Sequence, residues 1–228
     1  MNTPLRSSLV CAALLVALYP LSQTRAAEES AENPSAKWEP AIVAFEKLDA
    51  RDSIKPGGVL FVGSSSIRLW KLAESFPELD AINRGFGGSQ IVDSLHYADR
   101  IILPYKPRAV VIYAGDNDIK SGKSPEEVSG DYKQLAALIR KELPETKILC
   151  IPVKPSVARW NLIDKVRETN KLIRESMSGD ERQVFIDIDP VMLGENGEPD
   201  PALFLKDGLH LNDLGYERWT KLVAPHLK

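Results

Sequence analysis

The sequence predicts an α/β fold built on a five-stranded parallel sheet. Three observations carry this. Five short apolar runs rich in β-branched residues occur at 59–62, 81–83, 109–113, 148–153 and 184–188. Longer segments of helical periodicity separate most of them, so the chain must cross over between strands that point the same way, and the sheet is buried on both faces. About 190 residues in this arrangement are enough for one sizeable core. The chain shows no internal repeat, no low-complexity segment and no interdomain linker.

Residues 1–26 read as a secretory signal peptide. Arg6 and the amino terminus form a positive region, 9–19 is an unbroken apolar run of 11 residues, and Thr24-Arg25-Ala26 sets small residues at −3 and −1 of a cleavage site. The run is short for a bilayer span, and Pro20 with polar Ser22, Gln23 and Thr24 argues against a buried helix. Cleavage after Ala26 implies an exported protein, periplasmic or secreted, without a transmembrane segment in its mature form. Residues 27–37 are small and polar, a flexible lead-in, and 38–228 form the folded domain. Helical periodicity covers 38–48, 66–76, 91–103, 125–143, 162–177 and 213–226. In the fourth of these, Val128, Tyr132, Leu135, Leu138 and Ile139 share one face.

Formal charge is −3, from 29 basic and 32 acidic residues; without 1–26 it is −5. No basic excess exists to hold a nucleic-acid backbone, so the expected partner is a small-molecule or carbohydrate substrate, and nothing in the sequence sets an oligomeric state. Of the two cysteines, Cys11 falls in the leader, and Cys150 sits in the fourth apolar run as an inert core thiol.

Ligands of parallel sheets bind beyond the carboxyl ends of the strands. The segments there are 63–66, 84–89, 114–118, 154–156 and 189–210, mostly rich in Gly, Ser, Asn or Asp. A dinucleotide fingerprint at Gly85 fails because Gln90 replaces the third glycine. Gly122-Lys123-Ser124 stands too far from Gly115 for a P-loop. Ile67 breaks the nucleophile elbow G-x-S-x-G. The mature histidines, His96, His210 and His226, share no ligand spacing, and Asp187 and Asp189 read as turn residues rather than a cation site. No metal or organic cofactor is expected.

The same strand ends supply the parts of a serine hydrolase. Ser65 lies where the first strand turns into a helix, with Ser66 in position to begin that helix as its cap. His210 precedes the last helix, and Asp207 lies three residues upstream across a turn at Gly208. Gly88 lets a backbone N–H approach a ligand closely, and Asn117 offers an uncharged donor. Arg159 and Trp160, after the fourth strand, are candidate substrate contacts; Arg159 reads equally well as a solvated loop residue. The other tryptophans read as packing groups.

These blocks resemble those of the SGNH hydrolases, or GDSL-like esterases and lipases. They are Phe61-Val62-Gly63-Ser64-Ser65-Ser66-Ile67, Asn83-Arg84-Gly85-Phe86-Gly87-Gly88-Ser89, Gly115-Asp116-Asn117-Asp118 and Asp207-Gly208-Leu209-His210, in family order, and the resemblance covers about 56–226. It implies a flavodoxin-like three-layer α/β/α sandwich, with Ser65 as nucleophile, His210 as base and Asp207 as its partner. It also implies an oxyanion hole formed by the Ser65 and Gly88 N–H groups with Asn117. Ser64 stands where the family usually has aspartate. The expected function is a carboxylic ester hydrolase acting on short acyl, including acetyl, esters. A lysophospholipase, thioesterase or platelet-activating-factor-acetylhydrolase-like lipid esterase is the alternative within the class. A non-catalytic glycan or small-ligand binder is the alternative outside it.

Overall fold

Strands β1 (Val59–Gly63), β2 (Ala81–Gly85), β3 (Ala109–Tyr113), β4 (Lys147–Cys150) and β5 (Gln183–Phe185) form one parallel sheet in the order β2-β1-β3-β4-β5. The computed structural model describes residues 33–52 and 54–228. The expected leader at 1–26 and residues 27–32 of the lead-in lie outside these. The unit Trp38–Lys228 holds the whole sheet.

Each expected strand is present with adjusted ends. β4 stops at Cys150 rather than at 153: the Ile151 N–H still donates to Ile112, but Pro152 has no N–H to continue. β5 stops early as well, because beyond the bond from Ile186 to Cys150 the neighbouring strand has ended.

The helices are α1 (Glu39–Asp52), α2 (Ser65–Arg68), α3 (Leu72–Ser75), α4 (Ile91–His96), α5 (Ala98–Ile101), α6 (Asp116–Lys120), α7 (Pro125–Glu142), α8 (Ile163–Ser176), α9 (Asp189–Met192) and α10 (Asp213–Val223). The single helix expected over 66–76 is instead the pair α2 and α3. Asn83 on β2 donates to the carbonyls of Ile67 (2.7 Å) and Trp70 (3.3 Å), which otherwise accept from the nearer N–H groups of Trp70 and Leu72, so no continuous helical ladder forms. The expected helix over 91–103 likewise divides into α4 and α5, with Tyr97 at the junction. α7 follows expectation closely. Ser124 caps it, Pro125 fills its first position, and Glu127 completes the capping box. It buries Val128, Tyr132, Leu135, Ala136 and Ile139.

Alternation along the strands splits the core into two layers. Leu60, Val62, Val110, Ile112 and Ile148 face α1, α4, α7 and α8. Val59, Phe61, Val111, Tyr113 and Leu149 face α2, α3 and α10, where Trp70, Tyr216 and Trp219 pack ring to ring. The result is a three-layer α/β/α sandwich in the flavodoxin-like strand order. In that order the chain leaves β1 toward one edge and returns through β3 toward the other, opening a crevice at the carboxyl ends of β1 and β3. Cys150 is fully buried from the side of α7, and burial pushes its thiol up to about 12.

Candidate active site

The crevice begins at Gly63. Its φ is 137°, and a Cβ there would lie 1.9 Å from the Tyr113 carbonyl oxygen, so only glycine lets β1 end this close to β3. Ser64 donates its N–H to that same oxygen (3.0 Å) and occupies the cap position of α2 without a side-chain cap bond. The helix therefore starts at Ser65, not at Ser66, and Ser66 is not its cap. Ser64 and Ser66 are buried, at 2% and 1% exposure, whereas Ser65 is partly exposed. Ser66 is locked inward: its carbonyl accepts from Tyr216 (2.9 Å) and its hydroxyl from Lys154 (3.3 Å). Among the three adjacent serines, Ser65 is the one that lines the crevice.

Ser65 Oγ lies 3.0 Å from His210 Nε2, and His210 Nδ1 lies 2.6 Å from Asp207 Oδ2. The turn between Asp207 and His210 makes this possible. Gly208 has φ +64°, and the chain closes through Gly208 N–H to Leu205 (2.9 Å) and Leu205 N–H to His210 (2.7 Å). The other Asp207 oxygen accepts from the backbone N–H groups of Leu209 and His210, both at 2.9 Å. Partial burial works against the charged carboxylate. The His210 side chain and these two N–H groups outweigh it, and the carboxyl is pulled down to about 2. A carboxylate accepts only, so in the neutral imidazole Nδ1 carries the proton and Nε2 turns a lone pair toward Ser65.

Two loops bring donors to the same crevice. Gly88 has φ +86°, and the backbone N–H groups of Ser65 and Gly88 have no acceptor among the described residues. Asn117, in the first turn of α6, points Nδ2 at the Ser89 carbonyl (3.0 Å), leaving its second amide hydrogen available. Together with Arg68, Gly87, Arg159 and Leu209, these residues line an open cleft of about 410 Å³. Arg159 is on its wall, bonded to Asp116 and Asn117. Trp160 is not among the lining residues; its ring lies under the Arg167 guanidinium at 5.7 Å.

Arg68 was not anticipated. Three positions after Ser65 on a helix, it shares that residue's face, and its Nε would stand 2.9 Å from a Cβ on Gly87. The remaining sequence candidates lie elsewhere. His96 packs edge-on against Tyr97, and Asp187 and Asp189 pair with Arg174 (2.7 Å) and Arg167 (3.5 Å). Among the described residues no cluster of three His, Cys, Asp or Glu side chains could hold a metal ion, and no helix is long and apolar enough to cross a membrane.

The profile of the GDSL-like Lipase/Acylhydrolase family matches residues 63–218, a span that contains every residue of the crevice named above. Human platelet-activating factor acetylhydrolase IB subunit alpha1 is 30% identical over 202 residues, covering 81% of this chain and 85% of that protein. Two solved structures share the fold. One, from Streptococcus pneumonia and described as a platelet activating factor, superposes with a TM-score of 0.75 at 21% identity, over 90% of this chain and 99% of its own. The other, an acetylxylan esterase from Geobacillus stearothermophilus, has a TM-score of 0.60 at 14% identity, over 76% and 95%.

Proposed function

Because the chain belongs to the GDSL-like lipase/acylhydrolase family, whose members are carboxylic ester hydrolases, we propose that it is an exported serine esterase that removes short acyl groups, acetyl foremost. One observation carries the reading: the hydrogen-bonded series Ser65–His210–Asp207, at 3.0 and 2.6 Å, with its hydroxyl end on the wall of an open cleft.

In this mechanism His210 Nε2 takes the Ser65 proton as Oγ attacks the ester carbonyl. Asp207 holds the ring in the required tautomer and stabilises the imidazolium that forms. Negative charge develops on the carbonyl oxygen, and the N–H groups of Ser65 and Gly88 with Asn117 Nδ2 receive it. His210 returns the proton to the leaving alcohol, an acyl-enzyme remains, and water activated by the same imidazole releases the acid. Every step uses groups already in the crevice.

The cleft supports a small acyl group. Its lining carries one large apolar side chain, Leu209, among glycines, polar groups and two arginines. Release of acetyl is also what the names of the human relative and the Geobacillus esterase share, one naming platelet-activating factor and the other acetylxylan. The Arg68 guanidinium on the cleft wall favours a polar alcohol, so a carbohydrate ester is our first choice and a platelet-activating-factor-like lipid the second. Export rests on the leader features of residues 1–26 alone, and extracytoplasmic protein should begin at or near Ala27 by intact mass.

Fluorophosphonate labelling tests the core of the reading. Ser65→Ala should abolish the covalent adduct, while Ser64→Ala and Ser66→Ala keep at least part of it. Labelling that survives in the Ser65 variant would overturn the assignment, and an unlabelled parent protein would favour a binder on the same fold. Acetylated xylo-oligosaccharides, lysophospholipids and p-nitrophenyl esters of rising chain length then separate the alcohols and acyl groups.

A further inference from the structure

Behind the cleft wall runs a chain of charged side chains that the mechanism does not use. Lys154, just beyond β4, is almost completely buried, with 1% of its side chain exposed. Its three ammonium hydrogens have three acceptors: Tyr113 Oη at 2.9 Å, Ser66 Oγ at 3.3 Å and Asp116 Oδ2 at 3.3 Å. The other Asp116 oxygen accepts from Arg159 Nη1 at 2.5 Å, and the same nitrogen reaches the Asp116 carbonyl at 2.9 Å. Arg159 then spans to Asn117, with Nη1 and Nη2 at 3.4 and 3.3 Å from Oδ1. One continuous set of contacts thus joins Ser66, next to Ser65, with Asn117 in the first turn of α6.

We propose that Arg159, anchored by Asp116 and through it by Lys154, is a positioning residue that fixes the Asn117 amide with its oxygen inward and its nitrogen toward the reacting carbonyl. This rests on the esterase reading given above. An amide has one accepting and one donating end. Turned over, Asn117 would set its NH2 against a guanidinium that has only donors, and its oxygen against the Ser89 carbonyl that only accepts. Both contacts would be lost, so the network admits one orientation. Transition-state donors act through such preorganisation, since turning a dipole during the reaction would cost part of the stabilisation.

The ionic chain holds Arg159 more closely, at 2.5 Å from Asp116, than Arg159 holds Asn117, at 3.3 and 3.4 Å. Its side chain is 15% exposed, and the Asp116 carboxylate that grips it is 9% exposed. Burying these charges is costly unless each is paired. Asp116 serves Arg159 with one oxygen and shares Lys154 with Tyr113 and Ser66 through the other. The contacts also turn Arg159 Nη1 inward, so its main work is on the protein rather than on substrate.

The test is a double-variant cycle on the full-length protein with p-nitrophenyl acetate. Asn117→Ala should lower kcat by roughly 100- to 1000-fold. Arg159→Ala should lower it by no more than that, with KM within about twofold, because its effect runs through one donor. Combining the two should leave turnover within about twofold of Asn117→Ala alone. Arg159→Lys keeps the charge but lacks the planar fork that sets two nitrogens against Asp116 and Asn117, and should recover only part of the loss. Multiplying losses in the double variant, or a raised KM with unchanged kcat, would overturn the proposal and make Arg159 an independent support or a direct substrate contact. A second readout needs no turnover. The Asn117 side-chain amide resonances, assigned by their disappearance in Asn117→Ala, should shift or broaden in Arg159→Ala. Unchanged resonances in a folded variant would sink the positioning role even if no ester were ever hydrolysed, and shifted resonances in an inactive protein would fault the esterase reading alone.

Discussion

Replacing Asp207 by Asn alters one contact and leaves its surroundings in place, which makes its cost calculable. The two backbone N–H groups of Leu209 and His210 end on Oδ1, an atom that Asn keeps. The change falls on the other side, where an NH2 group would face His210 Nδ1 at the present 2.6 Å. A donor there requires Nδ1 to be unprotonated, which moves the ring proton to Nε2. That nitrogen then faces Ser65 Oγ, 3.0 Å away, as a donor and cannot accept its proton. The same amide-for-carboxylate exchange in a serine triad lowers kcat by about 10⁴-fold, which is about 5 kcal/mol of barrier. The fold should hardly notice. About half of the carboxylate surface is exposed, so water already screens its pairing with His210. A melting shift of no more than about 2–4 °C is expected, corresponding to about 1 kcal/mol in a domain of this size. Steady-state hydrolysis of p-nitrophenyl acetate and a thermal melt on the same preparation test both halves. Turnover within tenfold of the parent on folded protein would refute the orienting role of Asp207. Joint collapse of activity and stability would make it a turn residue instead.

Three further outcomes follow from the same contacts. Gly63→Ala should destabilise the protein by more than about 3 kcal/mol in urea denaturation, because a left-handed φ and a Cβ 1.9 Å from the Tyr113 oxygen combine strain with a backbone clash; near-parental stability would contradict the close approach of β1 to β3. Asp207 is more acidic in the folded chain than its ordinary 3.8, so the stabilisation it supplies is fully present above that value and is lost as the pH falls through about 2. The stability gap between the parent and Asp207→Ala should therefore close between pH 5 and pH 2, and a gap that widens there would reverse the sign. Cys150, buried and with its thiol pushed up to about 12, should resist Ellman's reagent in the native protein and react at once in denaturant; rapid native labelling would place it outside the core.

What could be read from the sequence depended on how far each cause acts along the chain. The strands were legible because their apolar runs are local and every one is covered by helices. Asp207, Gly208 and His210 were legible because a three-residue turn determines their geometry. Local patterns did not reveal the break between α2 and α3, since the side chain that donates to the Ile67 carbonyl there is Asn83, 16 positions away on another strand. Three adjacent serines look alike as letters. Burial separates them, and it comes from Tyr216 and Lys154, 150 and 88 residues downstream of Ser66. Trp160 shows the same dependence: its place after β4 suggested the substrate side, and the path of the chain beyond β4 sets its ring against Arg167.

The buried ionic chain had the weakest signal in the sequence, and the fold explains its location. Lys154 and Arg159 lie 38 and 43 positions beyond Asp116, yet β3 and β4 are neighbours in the sheet, so the segments leaving their carboxyl ends emerge side by side. Any lysine, aspartate or arginine there is brought to the floor of the crevice by topology rather than by local pattern. Charges so placed must find partners among themselves and the few polar groups nearby, because the sheet below them offers mostly apolar side chains and, at the end of β3, the Tyr113 hydroxyl that accepts from Lys154. A parallel sheet with its ligand site at the switch point therefore creates both the need for preorganised donors and a largely buried layer beneath them in which an ion network can hold those donors still. In this chain the layer runs from Ser66 to Asn117, and a change at Lys154, distant from any ester, should reach the reaction through Asp116 and Arg159.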